Sequence, residues 1–243
     1  MIEIQRASFI DAMKKALPGV ESSNGKVLLQ GADTFAFSDG FVHTYNDNIS
    51  VSSKLPEEVK DLKGAVKAVD FFNLINKFTE DTIQIVEKEQ KWIVKSGLAK
   101  VEFPLLEPSI LEYVKKLIPE NYTPVDLQTD FFNCIKLCLF SSNHSSLSGL
   151  YITPKNIVST DEMRVNYIFC DTKFLEPVWI SDTAIGQLIE FSNIKKFYIS
   201  DKWVHFFTDD GTIFSCKKLN SSNYPYKEIM KIVKEHEKTE NDI

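Results

Sequence analysis

The ten residues from Val69 to Phe78 read VDFFNLINKF, and the letters DFFN return in TDFFNCIKLCLF, from Thr129 to Phe140. In both copies the apolar residues recur at the spacing of one helical turn, which is typical of an amphipathic helix. The same spacing occurs in FIDAMKKAL, from Phe9 to Leu17, and in SDTAIGQLIEF, from Ser181 to Phe191. The sequence therefore predicts four short helices of one kind, each with an apolar stripe that must be buried.

Alternating strands follow the second and the fourth of these helices. Residues 82–103 read TIQIVEKEQKWIVKSGLAKVEF and residues 195–219 read KKFYISDKWVHFFTDDGTIFSCKKL, each with two or three strands joined by tight turns. Trp92 corresponds to Trp203 at an offset of 111 residues, and Phe9 corresponds to Phe131 at an offset of 122 residues. The pattern predicts an α+β chain of two similar domains, each with two short helices packed on antiparallel sheets.

A stretch rich in proline separates the two halves. Its prolines are Pro104, Pro108, Pro119 and Pro124. Proline interrupts regular structure, so the stretch is typical of a connector, although SILEYVKKL within it has the composition of a short helix. We predict a first domain at residues 1–110, an interdomain connector at 111–127 and a second domain at 128–243. The charged tail, KIVKEHEKTENDI, is predicted to fray at its end.

The motifs point away from catalysis. The nine glycines form neither a phosphate-binding loop nor a dinucleotide-binding pattern, and no Ser, His and Asp set is spaced for nucleophilic catalysis. The carboxylates in TDDG and in STDEMRV are typical of turns at strand ends. We therefore predict a protein that is not an enzyme and that uses no cofactor.

The cysteines lie among apolar or β-branched neighbours. They are Cys134, Cys138, Cys170 and Cys216. A metal site needs further Cys or His ligands at short spacing, and the four histidines are scattered along the chain. The sequence favours buried core thiols and no bound metal. Metal binding or redox use of the cysteines is the alternative.

Hydropathy and net charge limit where the protein can be located and what it can bind. The first residues, MIEIQRASFIDAM, lack the apolar core of a signal peptide, and no apolar run reaches the ~18 residues of a membrane span. The interpretation is a soluble protein of the cytoplasm. The net charge of −6 alone argues against a nucleic-acid partner, but a ring can be acidic outside and basic inside.

Several segments together resemble one family, the bacterial DNA polymerase sliding clamps (the β-type processivity factors). VSTDEMRV, at residues 158–165, resembles the family's V-A-T-D-G-H-R-L strand, turn and strand. IFSCKKLNSSNYPYKEIM, at 213–230, resembles its F-x-S-K-L-x-x-G-x-(F/Y)-P-x-Y segment. Residues 71–108 are similar to the helix, the strand pair and the R-S-G-x-S-x-F-x-L-P ending of the first clamp domain. The resemblance covers most of both halves and implies the DNA clamp fold.

The chain departs from the bacterial pattern at NSSNYPY, residues 220–226, which lacks the Gly and is one residue short after Pro225. It departs in two further ways. Glu162 and Met163 replace the Gly-His of the turn, and the 243 residues hold two domains where the bacterial protein has three. In the second respect the chain is similar to the two-domain clamps of archaea, eukaryotes and some phages. The family's ring contains six domains, so the resemblance implies a homotrimer, closed by head-to-tail contacts between copies. It also implies a processivity factor that encircles double-stranded DNA at the nucleoid and tethers a DNA polymerase.

In this family two helices per domain line the hole of the ring. The resemblance therefore implies a DNA-facing set of basic residues on or just beyond the four helices. That set is Arg6, Lys14, Lys15, Lys77, Lys136, Lys195 and Lys196. Acidic residues on the same helices dilute the positive charge, and for each basic residue an ordinary solvated helix charge is the alternative. The expected contacts are to phosphates, without readout of sequence.

The second implied site is a pocket for short apolar peptide motifs of the polymerase and the clamp loader, and two positions for it are open. The position used by bacterial clamps corresponds to Thr160, Met163, Arg164, Val165, Pro225 and Ile229. The position used by two-domain clamps lies under the connector and corresponds to Leu105, Leu106 and Ile110, with residues around Tyr45, Asn48 and Ile49. A third domain would have supplied one wall of the first pocket. For Met163 and Val165, a place in the core of a strand is the alternative.

A different kind of function also stays open. The chain could be a clamp-like scaffold or regulatory protein that does not encircle DNA, and the weak basic lining of its helices favours this reading a little. Solution mass separates the two hypotheses, because a trimer favours the ring and a stable monomer contradicts it.

Overall fold

The computed structural model of the chain describes residues 2–21, 29–139 and 146–240, with the backbone alone for residues 236–240. Phe140, the last residue of the second DFFN segment, and residues 241–243 of the tail lie outside this range. The helices are α1 (Arg6–Ala16), α2 (Ala68–Lys77), α3 (Leu111–Leu117), α4 (Phe131–Cys138), α5 (Asp182–Leu188) and α6 (Tyr226–Glu240). The strands before α4 are β1 (Ile2–Gln5), β2 (Thr34–Ser38), β3 (Phe41–Tyr45), β4 (Ile49–Lys54), β5 (Gly64–Lys67), β6 (Thr82–Lys88), β7 (Lys91–Ser96), β8 (Ala99–Pro104) and β9 (Val125–Asp126). The strands after α4 are β10 (Leu150–Ile152), β11 (Asn156–Thr160), β12 (Val165–Phe169), β13 (Val178–Ile180), β14 (Ile194–Ile199), β15 (Trp203–Thr208) and β16 (Ile213–Leu219).

The chain forms two compact units. The first unit is Met1–Tyr122 with His205–Ser215, and the second is Thr123–Val204 with Cys216–Ile243. The tip of the hairpin between β15 and β16 is thus grouped with the first unit. The four predicted helices are present as α1, α2, α4 and α5, and the α+β class with antiparallel sheets is confirmed. The predicted three-part division at residues 110 and 127 stays a prediction.

The first unit combines two antiparallel sheets with the helices α1 and α2. One sheet has the strand order β1-β6-β7-β8 and the other includes the run β4-β3-β2-β5. Phe9 of α1 and Phe71 of α2 meet edge to face, with ring centroids 6.2 Å apart, and Trp92 lies 5.0 Å from Phe37. All four of these side chains are at most 1% exposed, so the apolar stripes of the two helices close one dry core.

The second unit repeats this arrangement of strands. Its antiparallel run β12-β11-β10-β13 follows the same order as β4-β3-β2-β5 in the first unit, and β13 continues to β16. Phe131 of α4 stacks on Phe174 at 5.7 Å, and Phe174 stacks on Phe197 of β14 at 4.4 Å. Gly149 precedes β10 with a φ of 122°, and a Cβ there would lie 2.2 Å from the carbonyl oxygen of Ile180. Only glycine fits this approach of two strands.

Both faces of the sheet in the second unit are covered. The hydroxyl of Ser159 donates to the carbonyl of Cys138, and Asn166 donates from its side chain to the carbonyl of Leu137 at 3.1 Å, which places α4 on the face of Ser159 and Asn166. Neighbouring strand residues point to opposite faces. Val158 therefore belongs to the opposite face, which we call the outer face.

Candidate functional site

Three of the predicted DNA-facing lysines are free on the surface of their helices. Lys14, Lys77 and Lys136 each lie in the last turn of a helix, on α1, α2 and α4, and each is exposed. None of the three makes an ion pair with another described residue. A cation in the last turn complements the negative end of the helix dipole, so these positions also stabilise their helices modestly. Their ammonium groups remain available to an external anion.

Lys15, by contrast, is already neutralised. Its Nζ lies 2.7 Å from a carboxylate oxygen of Asp11 and 2.9 Å from one of Asp210. Partial burial would lower the pKa of Lys15, but the two carboxylates outweigh it and raise that pKa. Burial likewise works to raise the pKa of Asp210, and hydrogen bonds from Thr208, Lys15 and Thr212 bring it well below its usual range. Lys15 therefore ties α1 to the tip of the last hairpin.

The other three predicted basic residues are placed differently from the lysines of the helices. Arg6 begins α1, and its Nε donates to the carbonyl of Glu80 at 2.8 Å. Lys195 and Lys196 are exposed on strand β14, and the Nζ of Lys196 lies 4.0 Å from Asp126. Helix α5 contains no basic residue. Among the four helices predicted to face DNA, the free positive charge is thus carried by α1, α2 and α4.

The turn between β11 and β12 is held by its own side chains. The carboxylate of Asp161 accepts from the backbone N–H of Arg164 at 2.7 Å and from its guanidinium at 2.6 and 3.0 Å. The hydrogen bond from the Arg164 side chain is the main reason that the pKa of Asp161 is lowered. Thr160 is buried and its hydroxyl donates to the carbonyl of Arg164. Met163 is left at the tip with 89% of its surface exposed.

Glu162 occupies an unusual backbone conformation in this turn. Its φ is 70°, in the left-handed region that favours glycine. The clamp pattern has glycine at this position, and Glu162 adopts a backbone conformation that glycine enters without steric cost. A hydrogen bond from Ser146 to the Glu162 carboxylate, at 3.1 Å, accompanies it.

A row of large side chains crosses the outer face of the second unit beside this turn. Strand register places its members opposite one another in the order Leu219, Trp179, Tyr151, Val158 and Tyr167. We call these five residues the outer-face row. They pack in one cluster with Val165, the first residue of β12. Val165 was predicted from the sequence and the row was not, although the alternation of side chains along the five strands is its signal.

Helix α6 covers the outer-face row. Tyr224 stacks on Tyr151 with ring centroids 4.5 Å apart, and Tyr226 stacks on it at 5.1 Å. The hydroxyl of Tyr226 donates to the side-chain oxygen of Asn156 at 3.1 Å. Ile229, Met230 and Val233 of α6 belong to the same cluster as the row. Ile229 therefore shares a cluster with Val165, another of the predicted pocket residues, and Pro225 comes directly before the helix.

Two polar groups in this cluster have no partner. The Nε1–H of Trp179 and the hydroxyl of Tyr224 make no hydrogen bond to any described residue, although the two side chains are 6% and 5% exposed. Burial raises the pKa of Tyr224, which keeps its proton in place as a donor. Buried donors without an acceptor cost free energy, so the covered face is not fully satisfied.

The alternative pocket, under the connector, is also occupied by its own chain. Leu106 donates its backbone N–H to the carbonyl of Ala65 at 2.8 Å, and Ile110 is completely buried. Tyr113 of α3 stacks on Tyr45 of β3, with ring centroids 5.4 Å apart. Leu105 packs against the core of the first unit. Helix α3 thus lies beside part of this set, as α6 lies beside part of the first, and both pocket assignments stay predictions.

Two other predictions concern metal binding and the reactivity of the cysteines. No group of three or more Cys, His, Asp or Glu side chains within the described ranges is placed to bind a metal ion. Cys138, Cys170 and Cys216 are buried and Cys134 is partly buried, and burial raises the pKa of Cys138 to about 12. A thiol of that kind is not a ready nucleophile. None of the described helices is long and apolar enough to cross a membrane.

Comparison with known proteins identifies the fold. No family model and no curated protein sequence matches the chain. Among solved structures, the β subunit of DNA polymerase from Streptococcus pyogenes matches with a TM-score of 0.74 and 19% identity, over 92% of this chain and 65% of that one. The DNA polymerase sliding clamp from Bacillus subtilis matches with a TM-score of 0.72 and 19% identity, over the same shares of the two chains. The Helicobacter pylori β clamp bound to a DNA ligase peptide matches at 0.70 and 14%, over 94% and 68%.

These matches fix the architecture. The chain spans about two thirds of the length of the solved clamps that it matches. The matched region covers 92% of this chain. Because that share is larger than either unit alone, both units are included in the match. The α+β arrangement expected from the two DFFN segments is therefore the fold of the bacterial DNA polymerase sliding clamps.

Proposed function

We propose that this chain is a sliding clamp, a processivity factor that encircles double-stranded DNA and tethers replication enzymes to it. The observation that carries the proposal is the clamp fold over 92% of the chain at a TM-score of 0.74. A tether raises the local concentration of a polymerase at its template, and this needs no chemistry from the clamp. We accordingly propose a protein that is not an enzyme and that acts wherever the cell keeps its DNA.

The DNA contacts that we propose are made by Lys14, Lys77 and Lys136. These three are exposed, lie in the last turns of short helices and are not neutralised by a described carboxylate. Contacts to phosphates hold a duplex without reading its sequence, which a sliding ring requires. Arg6, Lys195 and Lys196 would contribute at longer range, and Lys15 would contribute least because Asp11 and Asp210 already pair with it.

The ring itself requires contacts between copies. Within the described residues, β8 pairs only with β7 and β12 pairs only with β11, so each unit offers a strand edge with unsatisfied main-chain groups. Phe169, at the end of β12, is 71% exposed. We propose that β12 of one copy pairs with β8 of the next, a head-to-tail contact of the kind that closes rings. Rings of six domains would then contain three copies of this chain.

The proposed clients are replication enzymes with short apolar peptide motifs, a DNA polymerase and a clamp loader among them. The Helicobacter pylori clamp was crystallised with a DNA ligase peptide. For this chain we propose the surface around Thr160, Met163, Arg164 and Val165, with Pro225 and Ile229. The set around Leu106 and Ile110 is the second candidate.

Solution mass tests the ring. The 243-residue chain has a mass of 27.8 kDa, and light scattering during gel filtration should give three times that value. Phe169→Asp, on the proposed β12 edge, should give the single-chain mass, whereas Leu175→Asp should keep the trimer, because Leu175 is equally apolar and 91% exposed but lies outside the strand. A wild-type chain that stays single at high concentration would contradict the ring.

A scaffold that does not encircle DNA is favoured by one specific observation. The positive charge of the helices is reduced, because Lys15 is paired and α5 has no basic residue. If wild-type mass corresponds to one chain and client peptides still bind, the scaffold replaces the ring as the function.

A further inference from the structure

The contact between α6 and the outer-face row is narrow. Among the α6 side chains that the structure describes, only that of Ile229 is almost fully buried, at 6% exposure. Met230 and Val233 are partly buried. The positions between and after them, Lys231, Ile232, Lys234 and Glu235, are exposed. Between residues 230 and 235, the last whose side chains are described, Met230 and Val233 are therefore the two that hold the helix to the sheet.

The cluster in which Met230 and Val233 pack is suited to a peptide ligand. The outer-face row offers aromatic and aliphatic side chains from five strands. Trp179 and Tyr224 add two buried donors that α6 leaves without acceptors. A helix satisfies its carbonyls internally, so it has none to offer, whereas an extended peptide has free carbonyl oxygens.

The rim of this surface includes the turn that the proposed function assigns to clients. Val165 packs in the same cluster as Met230 and Val233, and Met163 stands exposed at the tip of the turn. A segment that binds against Val165 must therefore share space with α6.

We propose that α6 beyond Ile229 is a built-in occupant of the client pocket, and that α6 and a client peptide exclude one another. This rests on the proposed function, because the client is a peptide of a replication enzyme. The fitting partner is an extended segment with one or two apolar side chains, which replace Met230 and Val233, and main-chain carbonyls that accept from Trp179 and Tyr224. The pocket is thus regulated by the chain itself.

A pair of neighbouring substitutions tests this inference in the full chain. Val233→Glu places a carboxylate against the apolar row and should lift the end of α6, because burying an unpaired charge is unfavourable. Ile232→Glu adds the same charge one position away, at a side chain that is 50% exposed and outside the cluster. Hydrogen exchange of residues 226–235 reports the release of the helix. Fluorescence anisotropy with a labelled copy of the DNA ligase peptide reports the pocket.

We expect faster hydrogen exchange of α6 in Val233→Glu but not in Ile232→Glu. Val233→Glu should also bind the peptide at least roughly tenfold more tightly than wild type, because removing the competing helix raises the fraction of chains whose pocket is open to the peptide. Equal binding by Val233→Glu and Ile232→Glu, or no binding by either, would overturn the inference. The ring is tested separately by mass, so its failure is distinguishable. If Val233→Glu loses exchange protection in β10, β11 or β13, the milder Met230→Ala replaces it, with the same two outcomes.

Discussion

The aromatic core of the first unit and the outer-face row of the second differ in how they are closed. Phe9, Phe37, Phe71 and Trp92 are at most 1% exposed and lie between two helices and two sheets. The outer-face row is covered by one helix, and its largest side chain, Trp179, keeps 6% of its surface exposed. The comparison indicates that the first region fixes the fold, whereas the second can open without unfolding its unit.

The largest effect expected from this comparison is that of Trp92→Ala. Removing a tryptophan from a closed core leaves a cavity, and the expected loss is about 3–5 kcal/mol in the free energy of unfolding. Trp179→Ala should cost less, because Trp179 lies under a single helix and is 6% exposed, whereas Trp92 is fully buried between two helices and two sheets. The indole N–H has no partner among the described residues in either case, so it does not contribute to the difference. Urea unfolding of both variants checks this. A loss for Trp179→Ala equal to that for Trp92→Ala would remove the distinction between the two regions.

Acid should weaken the first unit. His43 and His205 both belong to it, and burial lowers the pKa of each to about 4. Between pH 6.5 and 4, His43 and His205 are therefore protonated in the unfolded chain and neutral in the folded chain. Stability is complete above pH 6.5 and falls as the pH drops toward 4, by up to about 3 kcal/mol for each histidine. Unfolding free energies at a series of pH values, for wild type and His43→Gln, measure the slope. A slope that the substitution leaves unchanged would contradict this origin.

The free and the paired lysine of α1 offer a matched test of DNA contact. Lys14 is exposed without an ion pair, and Lys15 is held by Asp11 and Asp210. Lys14→Ala should lower the slope of log affinity against log salt by about 0.9 for one lost phosphate contact. Lys15→Ala should leave the slope unchanged. The reverse pattern, measured by DNA binding over a series of salt concentrations, would show that the ion pairs of Lys15 open on DNA.

The smallest effect is expected at the turn beside the outer-face row. Glu162 has a φ of 70°, and glycine adopts this conformation without steric cost. Glu162→Gly should stabilise the chain by roughly 1 kcal/mol or less. Thermal unfolding measures the change. A lower melting temperature would mean that the hydrogen bond from Ser146 outweighs the backbone strain.

The helices and hairpins could be predicted because they are local patterns. The apolar stripe of each DFFN segment gave α2 and α4, and Phe71 and Phe131 are fully buried as a stripe requires. The turns at Gly97 and Gly211 separate strands as expected. Each DFFN segment contains two adjacent Phe residues, and only the first of each pair is buried. Phe72 and Phe132 are partly exposed, at the margin of the apolar stripe of their helices.

The site depends on long-range packing, which the sequence shows poorly. Fraying is predicted for the end of the charged tail, residues 231–243, and stays a prediction because residues 241–243 lie outside the described range. Val233 of this tail joins Tyr226, Ile229 and Met230 in the stripe of α6, which was not predicted from the sequence. Their stripe is interrupted by the exposed Ile232, and their charged neighbours hide it. In the same way, nothing local shows that Asp210 reaches Lys15, which is 195 residues away.

Retention on circular DNA tests the central claim most directly. Chains would be separated by dilution, reassembled around a nicked circular plasmid and washed with high salt, which removes electrostatic binding but does not open a ring. The account predicts that the wild-type protein stays on the circle, elutes with it during gel filtration and is lost when one cut makes the plasmid linear. Equal retention on circular and linear DNA, or loss from both by a protein of trimeric mass, would contradict it.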